Sequence, residues 1–200
     1  MRNPALATAA GRSAAVAVGL LLTLATTPGT AHAATTAQPF AWQAEAAGLT
    51  EAQTTWLRSE VGTYLEELGG TQVALNEIDL DGAGSVLVAL PGEAQPRDFT
   101  SPAAEPAAAA DRCLNAPWYT GYFCAYRGTH YTGTRIDMWD CGRVMYIPRD
   151  WGAGSWINNQ SKGMRGYMYD DNGTTIYTTP GARSYHATAN WGPVGSMIPC

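Results

Sequence analysis

The side chains best able to do chemistry in this sequence are four cysteines, Cys113, Cys124, Cys141 and Cys200, all within the last 88 residues. Their successive spacings of 11, 17 and 59 include no Cys-x-x-Cys pair, so they do not match a common zinc finger. An even count in a small module reads instead as two disulfides. Four cysteines allow three pairings. The favoured one joins Cys124 to Cys141 across a hairpin and Cys113 to Cys200 across the ends of the module.

Catalytic chemistry finds few candidates. Beyond residue 33 the only histidines are His130 and His186, and there is neither a His-Glu-x-x-His nor a Gly-x-Ser-x-Gly pattern. Asp137 and Asp140 are three apart on an expected strand, which puts them on opposite faces. An enzyme is therefore not expected. Asp79 and Asp81 suggest a calcium loop, but the later ligand positions hold Ala83 and Leu90. A plain turn is the expectation there.

Charge divides the chain. Residues 34–112 carry twelve acidic and three basic side chains; residues 113–200 carry five and seven. The resulting balances, −9 and +2, suggest two units. The positive charges of the second are spread along the chain, so a nucleic-acid partner is not expected. Residues 1–33 read as a signal peptide. Arg2 and Arg12 precede an apolar run at Ala14–Ala25, and Ala31-His32-Ala33 is a small-residue cleavage site. No later apolar run is long enough for an anchor, so a secreted, extracellular protein with no membrane partner is expected.

The elements follow from periodicity. Residues 49–68 predict a helix with Thr50 as N-cap and Trp56, Val61, Tyr64, Leu65 and Leu68 on one face. Thr71–Leu75 and Ser85–Leu90 predict a hairpin turning at Asp79-Leu80-Asp81-Gly82. Residues 34–90 thus form an acidic α+β unit, a helix plus a β-hairpin, and a candidate pro-segment. Residues 91–112, rich in Pro and Ala, read as a linker open to proteases. Residues 113–200 predict an all-β domain. Its strands are placed at Tyr122–Arg127, Thr134–Asp140, Val144–Ile147, Ser155–Asn158, Gly166–Tyr169, Thr174–Thr178 and Ser196–Ile198. Asp171-Asn172-Gly173 is a tight-turn signal.

One stretch is more specific. Tyr126-Arg-Gly-Thr-His-Tyr131-Thr-Gly133 spaces two aromatics and a glycine as a folded-back hairpin requires. With Gly121–Ala125 before it and Trp139–Gly142 after it, this stretch resembles the first Greek-key motif of β/γ-crystallin-like proteins. With Gly154–Gln160 and the run from Gly166 to Cys200, residues 113–200 resemble the Streptomyces metalloproteinase inhibitor family. The resemblance implies a double Greek-key sandwich and inhibition of a secreted peptidase, foremost a metalloendopeptidase, by a monomer. It also raises calcium. The corresponding places, Asp150–Ser155 and Trp191–Ser196, substitute Trp and Gly for oxygen-bearing side chains, so weak or no calcium binding is expected and no cofactor is assigned.

An inhibitor presents a rigid loop, because rigidity lowers the ordering cost of binding. Arg127–Thr134, Cys141–Trp151 and Asp170–Thr174 are candidates. The preferred one is Cys141–Trp151, whose Val144, Met145, Tyr146 and Ile147 suit a hydrophobic specificity pocket. The plain alternative is that Val144 and Tyr146 fill the core of an ordinary strand. A second functional reading is a binding module for a cell-wall or cell-surface ligand, lined by Trp118, Trp139, Trp151, Trp156 or Trp191, although tryptophans in a small β module more often fill its core.

Overall fold

The computed structural model describes residues 38–100 and 108–200. The expected signal peptide and the middle of the expected linker, including Pro106, lie outside the described residues. A short helix, α1 (Ala41–Ala46), precedes α2 (Glu51–Leu68). The start of α2 is fixed by local chemistry. Thr50 Oγ1 accepts from Gln53 N at 3.2 Å, and Gln53 Oε1 accepts from Thr50 N at 3.0 Å, so two orphan helix-end donors are satisfied. Leu57, Val61 and Tyr64 are its buried side chains. Among the described residues no helix is long and apolar enough to cross a membrane.

Among the described residues eleven strands follow: β1 (Thr71–Ala74), β2 (Glu77–Asp79), β3 (Gly84–Leu87), β4 (Tyr122–Tyr126), β5 (Arg135–Met138), β6 (Met145–Tyr146), β7 (Ala153–Asn159), β8 (Tyr167–Tyr169), β9 (Thr175–Thr178), β10 (Ser184–Asn190) and β11 (Ser196–Ile198). Every pairing is antiparallel, and the strands form two sheets, ordered β1-β2-β3-β5-β4-β7-β10 and β6-β11-β8-β9. The α+β start and the β-rich remainder match the expectation. Two strands were not foreseen, β2 and β10.

The strand order has an internal repeat. In β4–β7, strands β5, β4 and β7 are neighbours in the larger sheet, and the third strand, β6, crosses to the smaller one. In β8–β11, strands β9, β8 and β11 are neighbours in the smaller sheet, and the third strand, β10, crosses to the larger. Each set lends its third strand to the other.

The boundary drawn from charge is not a boundary of the fold. Strand β3 pairs with β5 through Gly84↔Met138, Ser85↔Asp137, Val86↔Ile136 and Leu87↔Arg135, so β1–β3 extend the larger sheet. One apolar cluster runs through Leu57, Val61 and Tyr64 of α2, Ile78 and Val86 of β2 and β3, Phe123, Ile136 and Trp156 of the larger sheet, and Met168 and Met197 of the smaller. The flanks of the expected linker are also docked. Phe99 is buried, Arg97 bridges Ala108, Gln95 Nε2 donates to Tyr131 O at 2.6 Å and Gly133 N donates to Ala94 O at 2.9 Å. The acidic surplus and the basic surplus meet as partners. Ion pairs Arg127–Glu60 (2.6 Å), Arg135–Asp111 (3.0 Å) and Arg143–Asp81 (3.9 Å) cross the boundary.

Candidate functional site

The disulfides correct the expected pairing. Cys113 bonds Cys124, and Cys141 bonds Cys200. Register explains why. Cys124 sits opposite Asp137, and Cys141 lies four residues further along, about 13 Å at strand spacing. A disulfide cannot reach that far. Cys141 instead precedes β6 and Cys200 follows β11, and those strands run antiparallel through Met145↔Met197. Cys124 faces the opposite side of the larger sheet, beneath the segment that carries Cys113. Among the described residues the one metal-capable cluster is Asp111, Cys113 and Cys124, and its two sulfurs are joined to each other, which removes them as thiolate ligands.

The aromatic hairpin folds back as its spacing requires. Tyr126 and Tyr131 meet edge to face with ring centroids 5.7 Å apart. His130 and Tyr131 take left-handed backbone (φ 56° and 64°), and Gly133 does so at φ 81°. A clasp from β7 holds the fold: Ser155 Oγ donates to Gly128 O at 2.7 Å and accepts from Tyr131 N at 2.8 Å. Gly128 could not be larger, since a Cβ there would lie 2.4 Å from Thr132 Oγ1. His130, in that loop, is exposed. His186 lies on β10, its ring centroid 6.2 Å from that of Trp156.

On the outer face of the larger sheet lies a buried ionic cluster. Arg135 is fully buried. Its Nε donates to Asp137 Oδ1 at 2.7 Å, one Nη donates to Ala110 O at 2.9 Å, and the other lies 3.0 Å from Asp111 Oδ2 as an ion pair off hydrogen-bond alignment. Asp111 also takes the Tyr126 hydroxyl and the backbone N–H groups of Cys113 and Leu114. Burial pushes the Asp137 carboxyl up to about 6 against the pull of Arg135. Burial is also the largest cause raising the Tyr126 phenol. Asp140 stands apart, capping Gly142 N at 2.8 Å. Asp137 and Asp140 thus share no site, and Asp137 is occupied by its ion pair.

Strand β6 carries the preferred loop's Met145 and Tyr146, with Val144 and Ile147 on either side. Among the described residues it is an edge strand, paired on one side to β11 and to no strand on the other. Val144 is 49% exposed and Tyr146 62%, whereas Met145 and Ile147 are 5% and 2% exposed. Two of the four expected contact residues, Met145 and Ile147, therefore face the core and cannot touch a protease. Val144 and Tyr146 are surface groups, not core fillers. The Cys141–Cys200 bond anchors the strand's entrance, and Ile147 N donates to Gly195 O at 3.2 Å at its exit. Beside it, Leu68, Leu80, Asp81 and Arg143 join Val144, Met145 and Tyr146 around a small cavity of about 100 Å³.

Comparison with known proteins finds no matching family model, no matching curated protein and no matching solved structure.

The other candidate loops are placed as follows. Arg127–Thr134 is the folded-back hairpin, half-buried against β7. Asp170–Thr174 is a tight turn in which Asp170 Oδ1 accepts from Asn172 N and Thr174 N at 2.9 and 2.8 Å. Those backbone donors, led by Thr174, hold the Asp170 carboxyl below its usual range. The two calcium-like stretches, Asp150–Ser155 and Trp191–Ser196, each bury a tryptophan. Trp151 and Trp191 are buried, 6.2 Å apart by ring centroid, and each introduces the last strand of its set. Their repeated Trp-Gly reads in the sequence as a departure from calcium ligation, and the core-filling role usual for tryptophans in a small β module is the one both take.

A group of exposed aromatics was foreseen only in outline. Trp118 and Tyr185 are 69% and 68% exposed. The Arg183 guanidinium lies over the Trp118 ring at 5.9 Å and Tyr185 packs on Tyr131 at 6.5 Å.

Proposed function

We propose that this chain is a secreted peptidase inhibitor of β/γ-crystallin-like architecture that presents strand β6, with Val144 and Tyr146 as the contact side chains. The exchange of third strands between two four-strand sets is the arrangement expected of a double Greek key, and it supports that fold reading. The observation that carries the functional reading is the exposed apolar pair on a pinned edge strand. An edge strand offers backbone groups for strand addition, and alternate side chains then enter pockets of the partner. Both ends of β6 are already fixed, so little ordering remains to be lost on binding. The choice of metalloendopeptidases as targets rests on the sequence resemblance.

The test is a panel of secreted endopeptidases titrated with the purified full chain. Stoichiometric inhibition of at least one metalloendopeptidase is the expected result. Val144→Asp combined with Tyr146→Ala should weaken that inhibition at least about 30-fold, the loss of one interface hot spot. The same pair should change unfolding free energy by no more than about 0.5 kcal/mol, because both groups are on the surface. Silence across the panel, or an unweakened double variant, removes the reading.

A second reading has its own observation. Trp118, Arg183 and Tyr185 make an exposed aromatic and cationic surface suited to a cell-wall or cell-surface polysaccharide. Retention of the chain on insoluble polysaccharide, lost in Trp118→Ala, would favour it over inhibition.

A further inference from the structure

The loop that leaves β6 is held by the acidic N-terminal region, residue by residue. Glu60, Tyr64 and Glu67 of α2 stand at i, i+4 and i+7, one stripe of the helix. Glu67 Oε1 accepts from Arg149 N at 2.6 Å. Glu60 Oε1 accepts from Arg127 at 2.6 Å, and that same guanidinium donates to Asp150. Tyr64 Oη accepts from Trp151 Nε1 at 3.1 Å, and burial pushes its phenol up to about 12, so it stays neutral. Three consecutive residues, 149–151, are therefore each tied to one stripe of α2. Arg149 has a further tie, to Asp171 at 2.5 Å.

We propose that α2 is a brace for the presented strand, with Glu67 and Tyr64 as positioning residues, rather than a mask that hides it. Two features argue against masking. Val144 and Tyr146 remain exposed with α2 in place, and the hydrogen bonds from α2 fall on the loop after β6 and its neighbour Arg127, while at β6 itself the helix brings only its end, Leu68, to the small cavity shared with Val144, Met145 and Tyr146. A brace also accounts for the chemistry of the stripe. A carboxylate is the acceptor a turn N–H needs, and a neutral phenol is an acceptor that can sit in an apolar core beside an indole. Residues 34–90 would then be required for full activity and not removed to obtain it. The inference takes the purpose of the loop from the inhibitor reading, while the brace itself is a statement about order.

The experiment is amide hydrogen exchange on the full chain, following residues 143–151. In Glu67→Ala and in Tyr64→Phe, exchange in that segment should quicken at least tenfold, while amides of the central strands β4 and β7 stay at the wild-type rate. Glu67→Gln, which keeps an acceptor oxygen, should restore most of the protection. Unchanged exchange in 143–151 overturns the brace. So does an equal acceleration at β4 and β7, which would make α2 a general stabiliser. Wild-type inhibition is scored separately: its absence would remove the inhibitor reading and leave the exchange result standing.

Discussion

The two four-strand sets share one strand order and differ in how they are covered. In β4–β7 most strand residues are buried on both faces, and β5 is buried throughout. In β8–β11, β9 is exposed along its whole length and β10 along most of its own. The cause is the N-terminal region. Strands β1–β3 extend the larger sheet past β5, the segment ending at Cys113 lies over its outer face, and nothing comparable covers the second set among the described residues. The same topology thus supports two kinds of polar chemistry. The first set holds Arg135 and Asp137 as a desolvated cluster; Asp171 of the second set pairs on the surface with Arg149 of the loop after β6.

That contrast is broken most sharply by removing one cation from each place. Arg135→Ala leaves Asp137 and Asp111 as buried carboxylates without their partner and should cost about 3–5 kcal/mol. Arg149→Ala removes an exposed pair and should cost under about 1 kcal/mol. Urea unfolding of the two variants reads both. Equal losses would mean that the burial difference has no energetic weight.

Next in size is a pH effect confined to the first set. The folded Asp137 carboxyl is raised to about 6 and the unfolded one titrates near 3.8. Between those values the folded chain holds a proton that the unfolded chain has released. Stability contributed by this group is therefore fully present below about pH 4 and declines as pH rises through about 6, a swing on the order of 3 kcal/mol. Asp137→Asn should flatten that decline in the urea midpoint. A wild-type midpoint that rises from pH 4 to 6 with the slope lost in Asp137→Asn would reverse the assignment.

How much of this could be read from the chain depends on the signal each element carries. Helix α2 was legible because Thr50 and its apolar spacing are local facts, although Leu57, its most buried side chain, was not assigned to the face. Strands β4 and β5 were legible through their aromatics and β-branched residues. Strand β2 is three residues, too short to show alternation, and β10, Ser-Tyr-His-Ala-Thr-Ala-Asn, has one β-branched residue and, beside Tyr185, only small alanines on its alternating face. The charge contrast is real, and its opposite surpluses meet as ion pairs within one sheet and core, since opposite surpluses in one chain attract as readily as they mark separate units. At the site, alternation in Val144–Ile147 required that two residues face outward and two inward. Which pair did so depended on the β11 pairing, a contact between residues some fifty positions apart.

The smallest expected effect compares two glycines that precede the serine of each repeated Trp-Gly stretch, Gly154 and Gly195. A Cβ on Gly154 would lie 2.4 Å from the buried Trp191 ring and 2.5 Å from Tyr126 O. Neither can move freely, because Trp191 Nε1 donates to that same Tyr126 oxygen at 3.0 Å. Gly154→Ala should cost about 1–3 kcal/mol as overpacking. A Cβ on Gly195 would meet Asp171 Oδ1 at 2.3 Å, but that carboxylate is exposed and ends a flexible side chain, and the next contacts are at 3.3 Å. Gly195→Ala should cost under about 1 kcal/mol, absorbed by rotation of Asp171. Measured together, the two substitutions show whether the first set is the rigid one. If Gly195→Ala proves the costlier, the smaller sheet is packed more tightly at that turn than its exposure implies, and β6, which borders Gly195 through Ile147, is pinned from that side as firmly as from α2.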